Sequence, residues 1–398
     1  MRIGTWARLA LAAAPLAAGC GDFWQAPSSG GGSGGGSCTT NCTTGTSGNF
    51  YILNNGTTPQ VIGEVIESGS LKTISGSPWT LPNTPYAMSI APTGGFLTVS
   101  TLSGVVSYPI SSGVLGTAVT ASGDLDAAAI QVDKTGTWLV EAKPGTNGME
   151  LAAVPISSST GAGTSAEYPI SIAITNAAVK QLVISPDNSN IFVALGQGGT
   201  IVVPFNAKAA TGSSPLGTSY IRIPAVNATS SALSVAVDPD TTPRLFYIGE
   251  TNADSTGASG ALRAFVYSTL GSASGLTQAT GSPIASGGLA PNFVLPDTSG
   301  DYVYVANGAG ASTAGNIAGF TLTVSGSSYT LTSDTTVQVG VQPLWLAEDS
   351  SSTFVFEVGS LGSPYFDSFT FDTTTAGQLD SQITSSTSAT PIAIVAAP

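Results

Sequence analysis

The sequence predicts an all-β fold, a seven-bladed β-propeller of four-stranded antiparallel blades, on three observations. One apolar strand motif recurs seven times. Charged residues make up only 8% of a 398-residue chain that holds 49 Gly. The C-terminal residues read as a strand that the first repeat lacks.

Aligned on its most apolar strand, the repeat reads FYIL at 50, FLTV at 96, WLVE at 138, IFVA at 191, LFYI at 245, YVYV at 302 and FVFE at 354, in steps of 46, 42, 53, 54, 57 and 52 residues. Upstream of the later copies stands another strand that ends in a turn, as in AAIQVDKTGT, LVISPDNSN and NFVLPDTSGD. Pro, Asp and Gly at these places are what a tight inter-strand turn requires. A third strand follows, for example GVVSYPI at 104–110 and ALRAFVY at 261–267, and a fourth, more polar one leads into the next unit. Four strands in about 40 to 57 residues is the size of one blade.

Composition agrees with short strands and many turns. The 42% apolar residues come in short bursts that suffice for a large core, and no internal run reaches the roughly 18 apolar residues of a membrane-spanning helix. The segment PIAIVAAP at 391–398 matches the upstream strand of a unit with nothing after it, while the first unit, at Phe50, lacks that strand. A ring closed by lending the C-terminal strand to the first blade explains both, and closure removes exposed sheet edges. Ig-like sandwiches need about 100 residues per unit, a solenoid needs no returning strand, and a membrane barrel shows aromatic girdles.

Ahead of the repeats, residues 1–19 read as a lipoprotein-type signal peptide. Met1, Arg2 and Arg8 form a charged start, Leu9 to Ala18 an apolar stretch, and Ala17-Ala18-Gly19-Cys20 a small-residue cleavage site. The Gly-Cys ending resembles a bacterial lipobox, although Leu16 stands one place early and Ala17 takes its position; the resemblance implies acylation of Cys20. Residues 20–48 form a Gly/Ser/Thr-rich flexible stalk with a mean reach of about 30 Å, and residues 49–398 the propeller. Cys38 and Cys42 can close a local disulfide in an oxidising compartment, but a C-x3-C pair with no His is a poor zinc site. No metal and no cofactor is read from the sequence. The expected address is the bacterial cell envelope, the protein exported and lipid-anchored, at the outer membrane and on its periplasmic or surface face.

A net charge of −13, with ten Lys and Arg in all, excludes nucleic acid as a partner, because phosphates need a basic footprint. It equally disfavours anionic lipid binding through protein charge, so membrane contact is expected through the lipid anchor alone, and the propeller is expected to be a monomer.

The repeat text GSPIASGGLAPNFVLPDTSGDYVYVAN at 281–307, with GSPW at 76–79, resembles the lactonase-family propellers, of 6-phosphogluconolactonase-like and YVTN type, over roughly residues 50–398. The resemblance implies hydrolysis of a sugar lactone or cyclisation of a muconate, and sites that use His, Glu and Arg. This chain contains no His, which removes the usual general base near neutral pH, the Ser-His-Asp triad and imidazole metal sites.

Propellers place ligands at the end of the central channel, where innermost strands start and the next strands end. Innermost starts supply Asp126, Lys180 and Asn292; following ends supply Asn54, Glu141, Glu250, Asn307 and Glu357; Arg263 opens the next strand of blade 5. Glu250 and Glu141 are candidate general bases, Arg263 and Lys180 candidate oxyanion stabilisers, and Asn54, Asp126, Asn292 and Asn307 candidate ligand contacts. Turns holding Asp187, Asp238 and Asp240 fit no calcium-loop consensus and read as turn formers. Tyr51, Trp138, Phe246, Tyr302, Tyr304 and Phe354 read as core, whereas Trp79 and Trp345, near loop entries, are placed to stack on a sugar. The expected function is a binding or interaction module for a glycan, peptide or protein; the alternative is a lactone hydrolase working through carboxylate and Arg or Lys.

Overall fold

The computed structural model describes residues 46–398, apart from 125, 211, 240–244, 252–258, 268–275, 309–313, 327, 363–364 and 387–389. The acylation candidate Cys20 and the pair Cys38 and Cys42 lie outside those residues. Every regular element described is a strand, and hydrogen bonding sorts the strands into seven antiparallel sheets. The inner strands of blades 2 to 7 are Pro85–Ile90, Ala129–Val132, Gln181–Ile184, Ser231–Val237, Ala290–Pro296 and Gln342–Glu348. Beside them run the second strands Phe96–Thr101, Trp138–Gly145, Asn190–Ala194, Leu245–Thr251, Tyr302–Gly308 and Phe354–Ser360, each carrying the repeat motif read from the sequence. Consecutive inner strands pack against one another around the ring.

Blade 1 is made from both ends of the repeat region. Its second strand is Phe50–Asn54, its inner strand Pro391–Ala396, and the two pair from Phe50↔Ala396 to Asn54↔Pro391. A side-chain clamp holds the junction: Asn54 Oδ1 accepts from the Thr390 amide at 3.2 Å and from its hydroxyl at 2.7 Å. The closing strand expected from the sequence is therefore present, in the blade that lacked it.

The Asp in the repeated turn has a specific task. Asp133 Oδ1 accepts the amides of Thr137 and Trp138, both at 2.8 Å, and Asp349 Oδ1 accepts those of Thr353 and Phe354 at 2.9 and 2.7 Å. Such side-chain caps use up backbone donors that the hairpin leaves free.

Alternate residues of each second strand face the two neighbouring blades, so apolar side chains interdigitate across every seam. Between blades 7 and 1 the ring of Phe50 lies 4.2 Å from Phe356 and 5.3 Å from Phe366; between blades 4 and 5 Phe192 lies 4.7 Å from Phe246. Trp79 and Trp345 are half-buried packing residues as well. Trp79 covers Gly63, where a Cβ would stand 2.7 Å from the indole, and Trp345 packs on Phe293 at 4.5 Å.

Each inner strand is also a sheet edge, and its backbone groups need partners. Side chains from the neighbouring blade supply them: Ser89 Oγ accepts the Val132 amide at 3.1 Å, Gln131 Oε1 that of Ile184 at 2.6 Å, and Gln181 Oε1 that of Val235 at 3.0 Å.

Deleting residues 391–398 is expected to destabilise the whole ring, since buried Ile394 and Ala393 alone are worth about 3 kcal/mol. A truncated chain whose Tm matches the parent's would contradict closure.

Candidate functional site at the channel mouth

Every inner strand enters its blade with one residue too many. The pairing register skips Tyr86, Leu233, Asn292, Leu344 and Ile392. In blades 3 and 4, Ala128 and Lys180 take the same place: their amides donate to Ala142 and Ala194, whose strand partners are Ala129 and Gln181. A β-bulge re-aims side chains and ends regular pairing, and here seven equivalent bulges ring the end of the channel at which the inner strands begin. Tyr86 and Lys180 are exposed; the other five are half-buried.

The ring is chemically lopsided. Blades 2, 3 and 4 contribute Tyr86, the exposed Asp126 just ahead of Ala128, and Lys180, whereas blades 5, 7 and 1 contribute Leu233, Leu344 and Ile392. A hydrogen bond to Asp126, with slight burial and the carboxylate's charge behind it, raises the Tyr86 phenol above its ordinary pKa. Asp126 itself holds a left-handed backbone, φ 58°, a conformation that costs a non-glycine residue about 1 kcal/mol or more and clusters at functional sites. Asn292 spends its amide on the Pro343 carbonyl of the next inner strand, 2.8 Å away.

The polar residues at second-strand ends serve a different purpose: they hold the segment that crosses in from the preceding blade. Asn54 clamps Thr390, as described. Asn307 has no exposed surface; its Nδ2 donates to the Ser286 carbonyl at 2.6 Å and its Oδ1 accepts the Ser286 hydroxyl at 2.8 Å. Glu250, equally sealed, accepts the Val226 amide at 3.0 Å and pairs with Arg263 at 3.0 Å. Arg263 in turn donates to the Pro224 carbonyl at 3.0 Å and lies 5.0 Å over the Phe265 ring. The structure thus unites Glu250 with Arg263, but as a buried strut between blades 4 and 5, away from solvent.

Glu141 and Glu357 occupy one equivalent position on blades 3 and 7, two residues before that of Glu250, and both have no exposed surface. Burial first, and the neighbouring Asp124 second, push Glu141 up to about 9. Glu357 faces Asp367 across two strands; burial, then the charge of Asp367, raises Glu357 well above the carboxylate range, and burial raises Asp367 too. Glu141, Lys180 and the Glu250–Arg263 pair therefore sit on consecutive blades, with Lys180 alone exposed.

No family model and no curated protein matches the sequence. Solved structures do. The periplasmic gluconolactonase of Pseudomonas aeruginosa superposes with a TM-score of 0.65 at 16% identity, over 89% of this chain and 100% of that one. A Bacteroides uniformis protein provisionally named a 6-phosphogluconolactonase gives 0.64 at 15%, over 87% and 98%. The chain has the fold of the lactonase-like propellers. The β-propeller domain of Cps50 from Myceliophteria thermophila, at 13% identity, also matches, with a TM-score of 0.55 over 80% of this chain and 91% of that one, so the propeller fold by itself assigns no chemistry.

Sequence reasoning missed Tyr86 and the bulge ring, because a bulge is a register property that a period-two pattern does not display. It also missed the partners of Glu141. A signal was available there: in a chain with so few charges, Asp124, Lys143, Glu150 and Glu167 all fall within one blade and its entry segment.

Buried acids set a pH dependence. Burial pushes Glu64 up to about 7 and, with Asp124, Glu141 to about 9, against about 4.3 in an unfolded chain. Above pH 4.3 the folded state keeps protons that the unfolded state releases, so stability falls as pH rises toward 7 and beyond. Melting at pH 8 is expected to lie about 5 °C or more below that at pH 5, and E64Q should weaken the difference; a Tm that climbs with pH would refute the assignment.

Proposed function

We propose that the channel mouth takes a sugar lactone and hydrolyses it, in the manner the names of the gluconolactonase-like neighbours suggest. The observation that carries this reading is the arc of accessible Tyr86, Asp126 and Lys180 on three consecutive blades, in a ring otherwise apolar apart from Asn292. Asp126 accepts a proton from the attacking water while Tyr86 orients the carboxylate. The Lys180 ammonium stabilises the oxyanion that forms on the lactone carbonyl. Collapse breaks the ring C–O bond, and the proton held by Asp126 passes to the departing oxygen, leaving the open-chain hydroxy acid. No step needs His or the sealed Glu250.

The full-length chain, assayed on glucono-δ-lactone and 6-phosphogluconolactone, is expected to exceed spontaneous hydrolysis, with D126N and K180M each lowering kcat by about 100-fold. No turnover above background on either lactone defeats the hydrolase reading. A second reading, a binding module for the sugar acid or a related glycan, is favoured by the sealed Glu250–Arg263 pair, which withdraws the strongest acid–base pair from chemistry. Gluconate binding that K180M weakens, without turnover, is its signature.

The same proposal puts the propeller outside the cytoplasm, tethered through acylated Cys20 and the 20–48 stalk. Support comes from the signal-like residues 1–19 and from the periplasmic neighbour. Cells fed a palmitate analogue are expected to label the wild-type chain and not C20S; equal labelling would refute the anchor.

A further inference from the structure

Blade 3 carries a charge imbalance that blade 5 does not. In blade 5 one carboxylate, Glu250, meets one guanidinium and one backbone amide. In blade 3, Asp124, Glu150 and Glu167 bring one carboxylate oxygen each to within 4.8 Å of one another. Among the described residues Lys143 alone answers them, 2.6 Å from Asp124 and 2.9 Å from Glu150.

Beneath this group lies a fourth carboxylate with no exposed surface, Glu141. Its Oε2 accepts the Ser122 hydroxyl at 3.2 Å, but its Oε1 is buried without a hydrogen-bond partner, as is Asp124 Oδ2 beside it. Two orphaned carboxylate oxygens beside a converging set that itself includes Asp124 are unfavourable unless something positive joins them. The group is open from outside: Glu167 is exposed, and a cleft of about 360 Å³ borders Glu150 at the hairpin of blade 3.

We propose that this cluster is a divalent-cation site of the calcium type, with Asp124, Glu150 and Glu167 as outer ligands and Glu141 Oε1 as the buried one. An all-oxygen, mainly carboxylate donor set suits a hard cation, and calcium accepts irregular geometry and fills its six to eight places with water. The Lys143 ammonium is the counter-cation in the ion-free state. Its flexible stem lets it swing aside, and a divalent ion then offsets one more negative charge than the ammonium does. The three outer ligands belong to the segment crossing into blade 3, to its third strand and to the residue before its fourth, so the ion pins that blade. The inference does not depend on the lactone reading, because none of these residues lies in the Tyr86–Asp126–Lys180 arc.

The test is calorimetric titration and thermal melting of the full-length chain after EDTA treatment, with CaCl2 as the probe. One calcium is expected to bind and to raise Tm as its concentration passes Kd. E167Q, at an exposed position, should melt like the wild type without calcium yet bind it about tenfold or more weakly. K143M should bind more tightly than the wild type. Absence of heat and of any Tm shift with calcium, magnesium and manganese overturns the proposal and leaves a proton between Glu141 and Asp124 as the joining charge. Undiminished binding by E167Q, or binding by K143M no tighter than wild type, likewise overturns it.

Discussion

A propeller blade is a twisted sheet with its innermost strand at an edge, and an edge strand carries unpaired backbone groups wherever it lies. Seven such edges converge on one axis here. Outer edges face water and need nothing further, but inner ones are crowded together, so their donors and acceptors are met by side chains reaching across from the neighbouring blade. Ser89, Gln131, Gln181 and Asn292 do this at four seams. The arrangement works only if every blade has a neighbour, which is why the pairing of Phe50–Asn54 with Pro391–Ala396 governs more than one sheet. Without it two blades face each other across a gap, and the Phe50, Phe356 and Phe366 stack opens to water.

That dependence explains what was legible in the sequence. Strand identity follows from apolar runs bounded by turn residues, and both are local properties, so all seven second strands and the closing strand could be read directly. The turn Asp is equally local, since Asp133 and Asp349 bond amides only four and five residues away. The fate of the strand-end polar residues is not local. Asn54, Glu250 and Asn307 share one register position, yet each partner lies on a separate crossover segment, in the case of Thr390 more than three hundred residues distant. Chain text cannot show that a polar strand end faces a crossover instead of a ligand; only the blade-to-blade packing does.

Scarcity of charge sharpens the consequence. With ten bases against 23 acids, few carboxylates can be buried in company. Arg263 serves Glu250, Lys143 is shared between Asp124 and Glu150, and Glu357 faces another acid, Asp367. A buried carboxylate without a base stays protonated or recruits a cation from outside; burial sets Glu64 on the first course, and Glu141 takes it while no ion is bound.

Interior acids are thereby tied to architecture, and chemistry on a substrate has to come from groups that water reaches. The bulges supply two of them, Tyr86 and Lys180, and the segment before a third bulge supplies Asp126. One surplus residue per inner strand costs a pairing position, and on blades 2 and 4 it leaves the side chains of Tyr86 and Lys180 exposed. Exposed Tyr86 and Lys180 can change without disturbing a seam, a freedom that Asn292, bonded to Pro343 of the next inner strand, and a strut such as Glu250 lack. In this chain the bulge positions are used unevenly, with Tyr86, Lys180 and Asn292 polar and Ala128, Leu233, Leu344 and Ile392 apolar, so a ligand at the mouth is oriented by the asymmetry of a ring whose backbone repeats seven times.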